Sequence, residues 1–458
     1  MAGAWTICVD FGTACSKAAA AWRAPGIEFE PHHVRPLRLG EGDGDNPLML
    51  KSVLYLDQGR VLFGETAWRR AQATNAAANR QALSSFKTLL SARDLDQSIG
   101  LLVSPRVDPM GVFRQRDLIV LFLAFLIRRI DAAQALDPLL APSPCRGLRY
   151  SYPGWVSGDD VARHKLISRL FDEGCIVADL IPGDFGVEAG LSYDDARAAL
   201  AQAARGTVAS RIEGVVFEAT AAAACRLVSG RPDPNRPVHA AVIDMGAGTT
   251  DIGGYFVTPE GDVEEIGGVQ RTLDIAGDTF DRVLMNVIVK KAAHVKGDHA
   301  RGLLWRALLP KIRGLKETVV STGACAFEYG GRIVKVKVSE LTRRGDFKNA
   351  LKAVRAAYVQ SLEDIAADAL DAGRRDIAIV LAGGGANLPY LQKLAGRARP
   401  AKGRVRLKPE PLVPEWAHNE LFDKRFPATF PQLSIAIGGA LAPLTFVRQR
   451  SVSVLAPA

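Results

Sequence analysis

The sequence has no closely spaced pair of cysteines. Its six cysteines, at positions 8, 15, 145, 175, 225 and 325, form no CxxC and stand mostly in apolar surroundings. That pattern excludes a disulfide-stapled scaffold and reads as reduced core thiols of a cytosolic, hence cytoplasmic, protein. The seven histidines are scattered without HExxH or related spacing, so no transition-metal site is expected. The longest apolar run, Leu118 to Ile127, is about half of the ~20 residues a bilayer span needs. Starting after Asp117 and ending at Arg128-Arg129, it predicts a buried helix. The N-terminus enters a strand without a basic region or a cleavable apolar stretch, so no secretion signal is expected. The net charge of +9 suits nucleotides or acidic partners but is no evidence for nucleic-acid binding. Neither a membrane nor a nucleic acid is therefore an expected partner.

What is present is enough chain for two ordinary domains: 458 residues, 48% of them hydrophobic. At this length folding buries roughly three quarters of the unfolded surface without covalent staples. The stretch that organises the chain is Ala240 to Tyr255, AAVIDMGAGTTDIGGY. It opens as one buried-strand signal, Ala241-Val242-Ile243, and closes as another, Asp251 to Tyr255. Between them the small residues Gly246, Ala247, Gly248, Thr249 and Thr250 let the backbone bend and approach a ligand closely. Bare amides and hydroxyls suit phosphate oxygens. Asp244 at the strand end suits a hydrated Mg²⁺ on those phosphates. An ordinary Gly-rich hairpin has the same local pattern.

A second copy favours the phosphate reading. Thr6 to Lys17, TICVDFGTACSK, repeats the plan of apolar strand, Asp, one residue, Gly, then small hydroxylic residues. Asp10 and Asp244 lie 234 positions apart, which suggests two related half-molecules presenting Asp–Gly–Thr hairpins to a shared cleft.

Between these landmarks, Pro25 to Pro47 reads as an irregular loop, Lys51 to Leu56 and Val61 to Phe63 as paired strands, and Glu65 to about Arg80 as helix. Ala92 to Arg116 reads as irregular. Leu148 to Val156 predicts a strand, and Asp159 to Glu173 an amphipathic helix capped by Gly174. Ile212 to Phe217 predicts a strand, followed by Glu218 and a small-residue helix, Ala219 to Leu227. Gly230 to Pro237 is the clearest linker. Leu273 to Asp281 is a glycine turn opening a helix through Val289; a basic helix, Leu303 to Thr318, comes next. Strands around Ala324 to Glu328 and Ile333 to Val338 precede a long helix, Phe347 to Leu370. Ile377 to Leu381 runs into Gly383-Gly384-Gly385-Ala386-Asn387 and a helix with Pro389 in its first turn, a third nucleotide-type loop. Arg397 to Lys408 is a basic, solvated loop. Pro431 to Phe446 holds a second small-residue helix able to pack on the first.

In this order the pieces resemble the ATPase domain of the DnaK-type heat-shock chaperones (heat shock protein 70 family), within the actin, sugar-kinase and chaperone superfamily. VDFGTACS and DMGAGTTD look like the two phosphate loops, FEATAAAACRL and IAIGGALA like the two connecting helices, IAGDTFD like the ribose-side turn, VLAGGGANLP like the adenosine loop, and SSFKTLL like the segment bearing the catalytic lysine. The resemblance implies an α/β, two-lobed actin-like ATPase fold of duplicated ribonuclease H-like domains with a central nucleotide cleft. Lobe I would span 1–230 with an insertion at about 30–135, and lobe II 238–430 with an insertion at about 280–345. Residues 431–458 would return to lobe I.

The resemblance also implies ATP/ADP and Mg²⁺ as ligands and slow ATP hydrolysis. Gly12, Thr13 and Ala14 with Gly246, Ala247, Gly248 and Thr249 would cradle the phosphates, and Asp10 and Asp244 would hold the metal through its waters. Lys87 would stabilise the transferring phosphoryl group and Glu218 orient the water. Gly277, Asp278, Lys316, Gly383, Gly384, Gly385 and Asn387 would surround the nucleoside. The chain departs from the family pattern at Asn387, where a stacking arginine is usual, at Arg313, where a glutamate is usual, and at Ala14, where a threonine is usual. Only 18 residues follow Ala440, too few for the family's peptide-binding half. The expected function is a nucleotide-driven switch read by a partner protein. An actin-like filament protomer, a small-molecule kinase and a nucleotide-binding pseudoenzyme remain open alternatives.

Overall fold

The structure, a computed structural model, describes residues 4–442 apart from 25–26, 41–45, 75–78, 85, 91–93, 153–159, 182, 184–188, 207–209, 230–237, 259–262, 399 and 401–404. The expected linker at 230–237 lies outside the described residues, as do 153–156 of one expected strand and everything after 442.

The chain is mixed α/β and carries two large sheets of one design. The first contains β1 (Ala4–Asp10), β2 (Cys15–Arg23), β3 (Val34–Pro36), β4 (Leu148–Tyr152) and β5 (Ile212–Phe217) in the order β5-β4-β1-β2-β3. The second contains β6 (Val238–Met245), β7 (Thr250–Val257), β8 (Val263–Glu265), β9 (Asp376–Ala382) and β10 (Arg406–Pro409) in the order β10-β9-β6-β7-β8. In each, the first two strands form an antiparallel hairpin and a third adds antiparallel to the second. Two later strands then add parallel on the other side of the first.

Period-two alternation shows why both sheets are buried on both faces. Ile7 and Val9 of β1 point into a core filled by α1 (Gln115–Leu136) and α2 (Asp160–Leu180), while Cys8 points the other way, toward the helix Phe426–Leu441. In β6, Ala241, Ile243 and Met245 face the core shared with the helices Gly277–Lys291 and Gly345–Asp371, whereas Ala240 and Val242 face the helix Glu218–Ser229. The two small-residue helices therefore sit between the sheets, and each covers the sheet of the opposite half. Glu218–Ser229 follows the first sheet but packs on the second; Phe426–Leu441 follows the second but packs on the first. They cross where a Cβ on Gly438 would lie 1.7 Å from the Ala221 carbonyl oxygen.

Some expected boundaries move, each for a physical reason. The helix expected to stop at Gly174 runs to Leu180, because this glycine serves a close helix contact: a Cβ there would sit 2.9 Å from Cβ of Leu123. The basic helix expected over 303–318 is two helices, Asp298–Leu308 and Ile312–Thr322, interrupted at Pro310, which cannot donate to the helical ladder. A short helix, Leu95–Gly100, lies in the stretch read as irregular. Part of the basic stretch read as a loop is the edge strand Arg406–Pro409. The final helix begins at Phe426 and carries Pro431 inside it. The run 118–127 is wholly buried within α1, as its pattern predicted.

Candidate functional site

The two hairpins end at matched positions. In the first, Asp10 faces Lys17 across β1 and β2; in the second, Asp244 faces Asp251 across β6 and β7. All are held close by short turns. Gly246 N donates to Thr249 O at 3.0 Å. In the first turn Gly12 leaves no room for a side chain, since a Cβ would fall 2.2 Å from the Cys15 carbonyl oxygen. Ser52, between the strands Leu50–Lys51 and Val53–Asp57, fastens this turn: its hydroxyl donates to Gly12 O at 2.7 Å and its amide to Ala14 O at 3.1 Å. Thr13 is buried; Ala14 is half-buried at the edge of a cleft.

The third and fourth glycine turns pack onto the second hairpin. The amides of Gly277 and Asp278, which open the helix Gly277–Lys291, donate to Gly246 O (3.1 Å) and Ala247 O (2.8 Å). These amides thus fix the loop itself. Lys316 secures the same helix start, donating to Gly277 O at 3.0 Å and pairing with Asp281 at 2.9 Å. Gly383 has φ +74°, a backbone state L side chains rarely adopt, and its amide donates to Pro431 O at 2.9 Å. A Cβ on Gly383 would lie 2.4 Å from Asp244 Oδ1, and one on Gly385 2.4 Å from the Met245 side chain. Gly384 and Asn387 are exposed on the rim of that turn.

Between the hairpins stand Lys87 and Glu218. Phe86 is locked between Phe11 and Phe122, with ring centroids 6.2 and 4.9 Å away, and this seats the short helix Phe86–Leu90 so that Lys87 Nζ donates to Glu218 Oε1. Glu218 opens the helix Glu218–Ser229 and is buried. Burial pushes its carboxyl up to about 7, against the pull of Lys87. Burial opposes the charge on Lys87, but Glu218, Asp10 and Asp244 outweigh it and hold the ammonium protonated above its usual range. Asp244 is raised well above the usual carboxylate range by burial, then by Glu218 and Asp251. Asp251 is raised less, because Thr272 and Thr249 donate to its two oxygens at 2.6 and 3.0 Å.

Carboxylate oxygens of Glu218, Asp244 and Asp251 lie within 4.8 Å of one another. Asp244 is 3% exposed and its Oδ1 has no hydrogen-bond partner. Asp10, 1% exposed, likewise has a buried oxygen without a regular hydrogen bond, Oδ2, but that oxygen lies 2.5 Å from the Lys17 ammonium. A cleft of about 500 Å³ opens beside the first turn, lined by Ala14, Cys15, Lys51 and Trp68 on one wall and by Arg313 and Glu317 on the other. Gln72 spans it by donating to Pro310 O at 3.2 Å.

Of the residues expected at the site, Asp10, Lys87, Glu218 and Asp244 act on one another electrostatically in one buried cluster, with Gly12, Gly246, Gly277 and Gly383 shaping its walls. Lys316 stands one layer away, beneath the Gly277 turn. The sequence reading assigned no role to Asp251, Lys17 or Ser52. A signal for the first two was available: each stands seven positions after its hairpin's first aspartate. Among the described residues no helix is long and apolar enough to cross a membrane. No protein-family model matches the chain, and no curated protein matches it.

Proposed function

We propose that the chain is a DnaK-like nucleotide-binding protein with a two-lobed, actin-like fold that binds ATP, hydrolyses it slowly, and acts as a conformational switch read by a partner protein. The observation that carries this reading is the pair of equal hairpins, Asp10–Lys17 and Asp244–Asp251, at the same place in two sheets of the same strand order, with Lys87 and Glu218 between them.

Phosphoryl transfer needs positioning and charge stabilisation more than covalent help. The turns Gly12–Ala14 and Gly246–Thr249 offer backbone to the phosphates from opposite sides. Lys87, kept protonated by its carboxylate neighbours, supplies positive charge for the transferring group. Glu218 orients the attacking water once Lys87 turns toward phosphate. The donor set suits a hard divalent ion: buried carboxylates, one of them with an oxygen that has no hydrogen bond. Mg²⁺ bound there supplies charge neutralisation for the phosphates. The crossed helices Glu218–Ser229 and Phe426–Leu441, each serving both halves, form a joint about which the cleft opens and closes.

Titration calorimetry with ATP and with ADP, followed by single-turnover hydrolysis, tests the reading: binding of both nucleotides and slow release of phosphate are expected. Absence of binding rejects it. A binder without turnover is the second reading, favoured by the Lys87–Glu218 ion pair, which ties the two groups to each other. Binding without any phosphate release selects it.

A further inference from the structure

The two hairpins are alike in length and register, and they differ in charge at one place. Seven positions after Asp10 stands a lysine; seven positions after Asp244 stands an aspartate. Both facing pairs are nearly closed to solvent, with side-chain exposures of 12% for Lys17 and 2% for Asp10. In the first hairpin the ammonium lies 2.5 Å from Asp10 Oδ2. The same ammonium sits under the Gly12 turn, 3.4 Å from where a Cβ on Gly12 would be.

Counting charge by hairpin separates the two sides. Asp10 and Lys17 cancel. Fully ionised, Asp244, Asp251 and Glu218 carry three negative charges against the single positive charge of Lys87. That excess of two in a buried space is offset either by protons or by a counterion, and the oxygen donors select a hard divalent cation. Asp251 is already satisfied by two threonine hydroxyls, whereas Asp244 Oδ1 has no hydrogen-bond donor although it is 97% buried with its residue. The geometry points to Lys17 as a built-in counterion that takes the place of a metal ion at Asp10, so that the buried cluster holds one divalent ion, on the side of Asp244, Asp251 and Glu218 alone. This deepens the nucleotide reading, which supplies the ion's role in turnover, but the cation site itself stands without nucleotide. It also separates Asp10 from Asp244, which the resemblance had paired as joint holders of Mg²⁺. Asp10 instead presents Lys17 as a fixed positive charge beneath the first turn, available to phosphate oxygens whether or not metal is present.

The test is Mn²⁺ titration of the full chain without nucleotide, read by electron paramagnetic resonance of the free ion. The wild type is expected to bind one ion. Asp244→Asn weakens binding at least tenfold. Lys17→Met uncovers Asp10 and either adds a second ion or tightens binding at least tenfold. The double variant Asp10→Asn with Lys17→Met keeps the first hairpin neutral and behaves as the wild type; it also serves where Lys17→Met alone does not fold, as checked by circular dichroism. No Mn²⁺ binding by the wild type, full binding by Asp244→Asn, unchanged binding by folded Lys17→Met, or lost binding in the double variant each overturns the assignment. ATP titration in the presence of Mg²⁺ is the separate arm. Retained ATP binding with a failed Mn²⁺ pattern rejects the Lys17 inference alone, and lost ATP binding with the expected pattern rejects only the nucleotide reading.

Discussion

Lys87 is the residue whose chemistry is most exposed to test. It touches Glu218 and lies in the field of both hairpin aspartates. Lys87→Ala is expected to keep ATP binding and to slow turnover on the order of 10²-fold or more, as when a preorganised stabilising group is removed. Unchanged steady-state hydrolysis takes Lys87 out of the mechanism. A second residue makes a prediction about stability. Glu265 faces Tyr255 across two strands, and burial pushes its carboxyl from the usual 4.5 up to about 7. Between those values the folded chain holds a proton that the unfolded chain has released, so stability falls as pH rises through that window. Glu265→Gln should therefore match the wild type near pH 4.5 and exceed it by about 1–2 kcal/mol at pH 8, allowing for partial exposure. Urea denaturation at the two pH values reads the difference; an equal gap at both contradicts it. At this scale the sequence displayed Asp10, Lys87, Glu218 and Asp244 because each sits in a recognisable local pattern. Lys17 and Asp251 stayed silent because their roles arise from facing a partner across a hairpin, and that pairing depends on turn length and register rather than on neighbours in sequence.

At the scale of elements, strands and buried helices were the most legible, since alternation and unbroken apolar runs follow directly from burial on one or two faces. Glycine was the most misleading. Gly174 carries the signature of a helix stop yet lies inside α2, where its missing side chain lets α2 approach Leu123. The same principle, read correctly, governs the crossing of the two small-residue helices. Gly438→Val places methyl groups where the Ala221 carbonyl already stands, and overpacking of this kind costs about 3 kcal/mol or more. Gly302→Ala is the matched control: it lies within the helix Asp298–Leu308 and a Cβ there meets nothing within 4 Å, so a gain of about 0.5–1 kcal/mol is expected from helix propensity. Thermal unfolding of the two variants should move in opposite directions. A common direction would show that the crossing tolerates separation.

For the molecule as a whole, a likeness between two parts of the chain was readable from two short motifs 234 positions apart, and the matching strand orders extend it to entire sheets. No local pattern carried the exchange of covering helices between halves, because an Ala-rich segment packs on any close partner; only the resemblance implied that 431–458 returns to the first half. The cleft beside the first turn has Lys51, Trp68 and Gln72 on one wall and Pro310, Arg313 and Glu317 on the other, with the Gln72–Pro310 contact across them. Addition of ATP is accordingly expected to slow amide hydrogen exchange in 46–72 and 310–317 together, as both walls line the cleft. Slowing on one wall only would mean that the halves do not close on the ligand as a unit.

The exchange of helices also dictates an order of events during synthesis. Cys8, Ala19, Ala21 and Val34 leave the ribosome some four hundred residues ahead of Phe430, Leu433 and Ile437, which cover the face they share. The first sheet therefore waits through the translation of some four hundred residues with one greasy side open. A nascent chain halted before Phe426 has every strand of both large sheets and still lacks its last lid, which makes it the natural client for a holdase until the final turn of helix arrives.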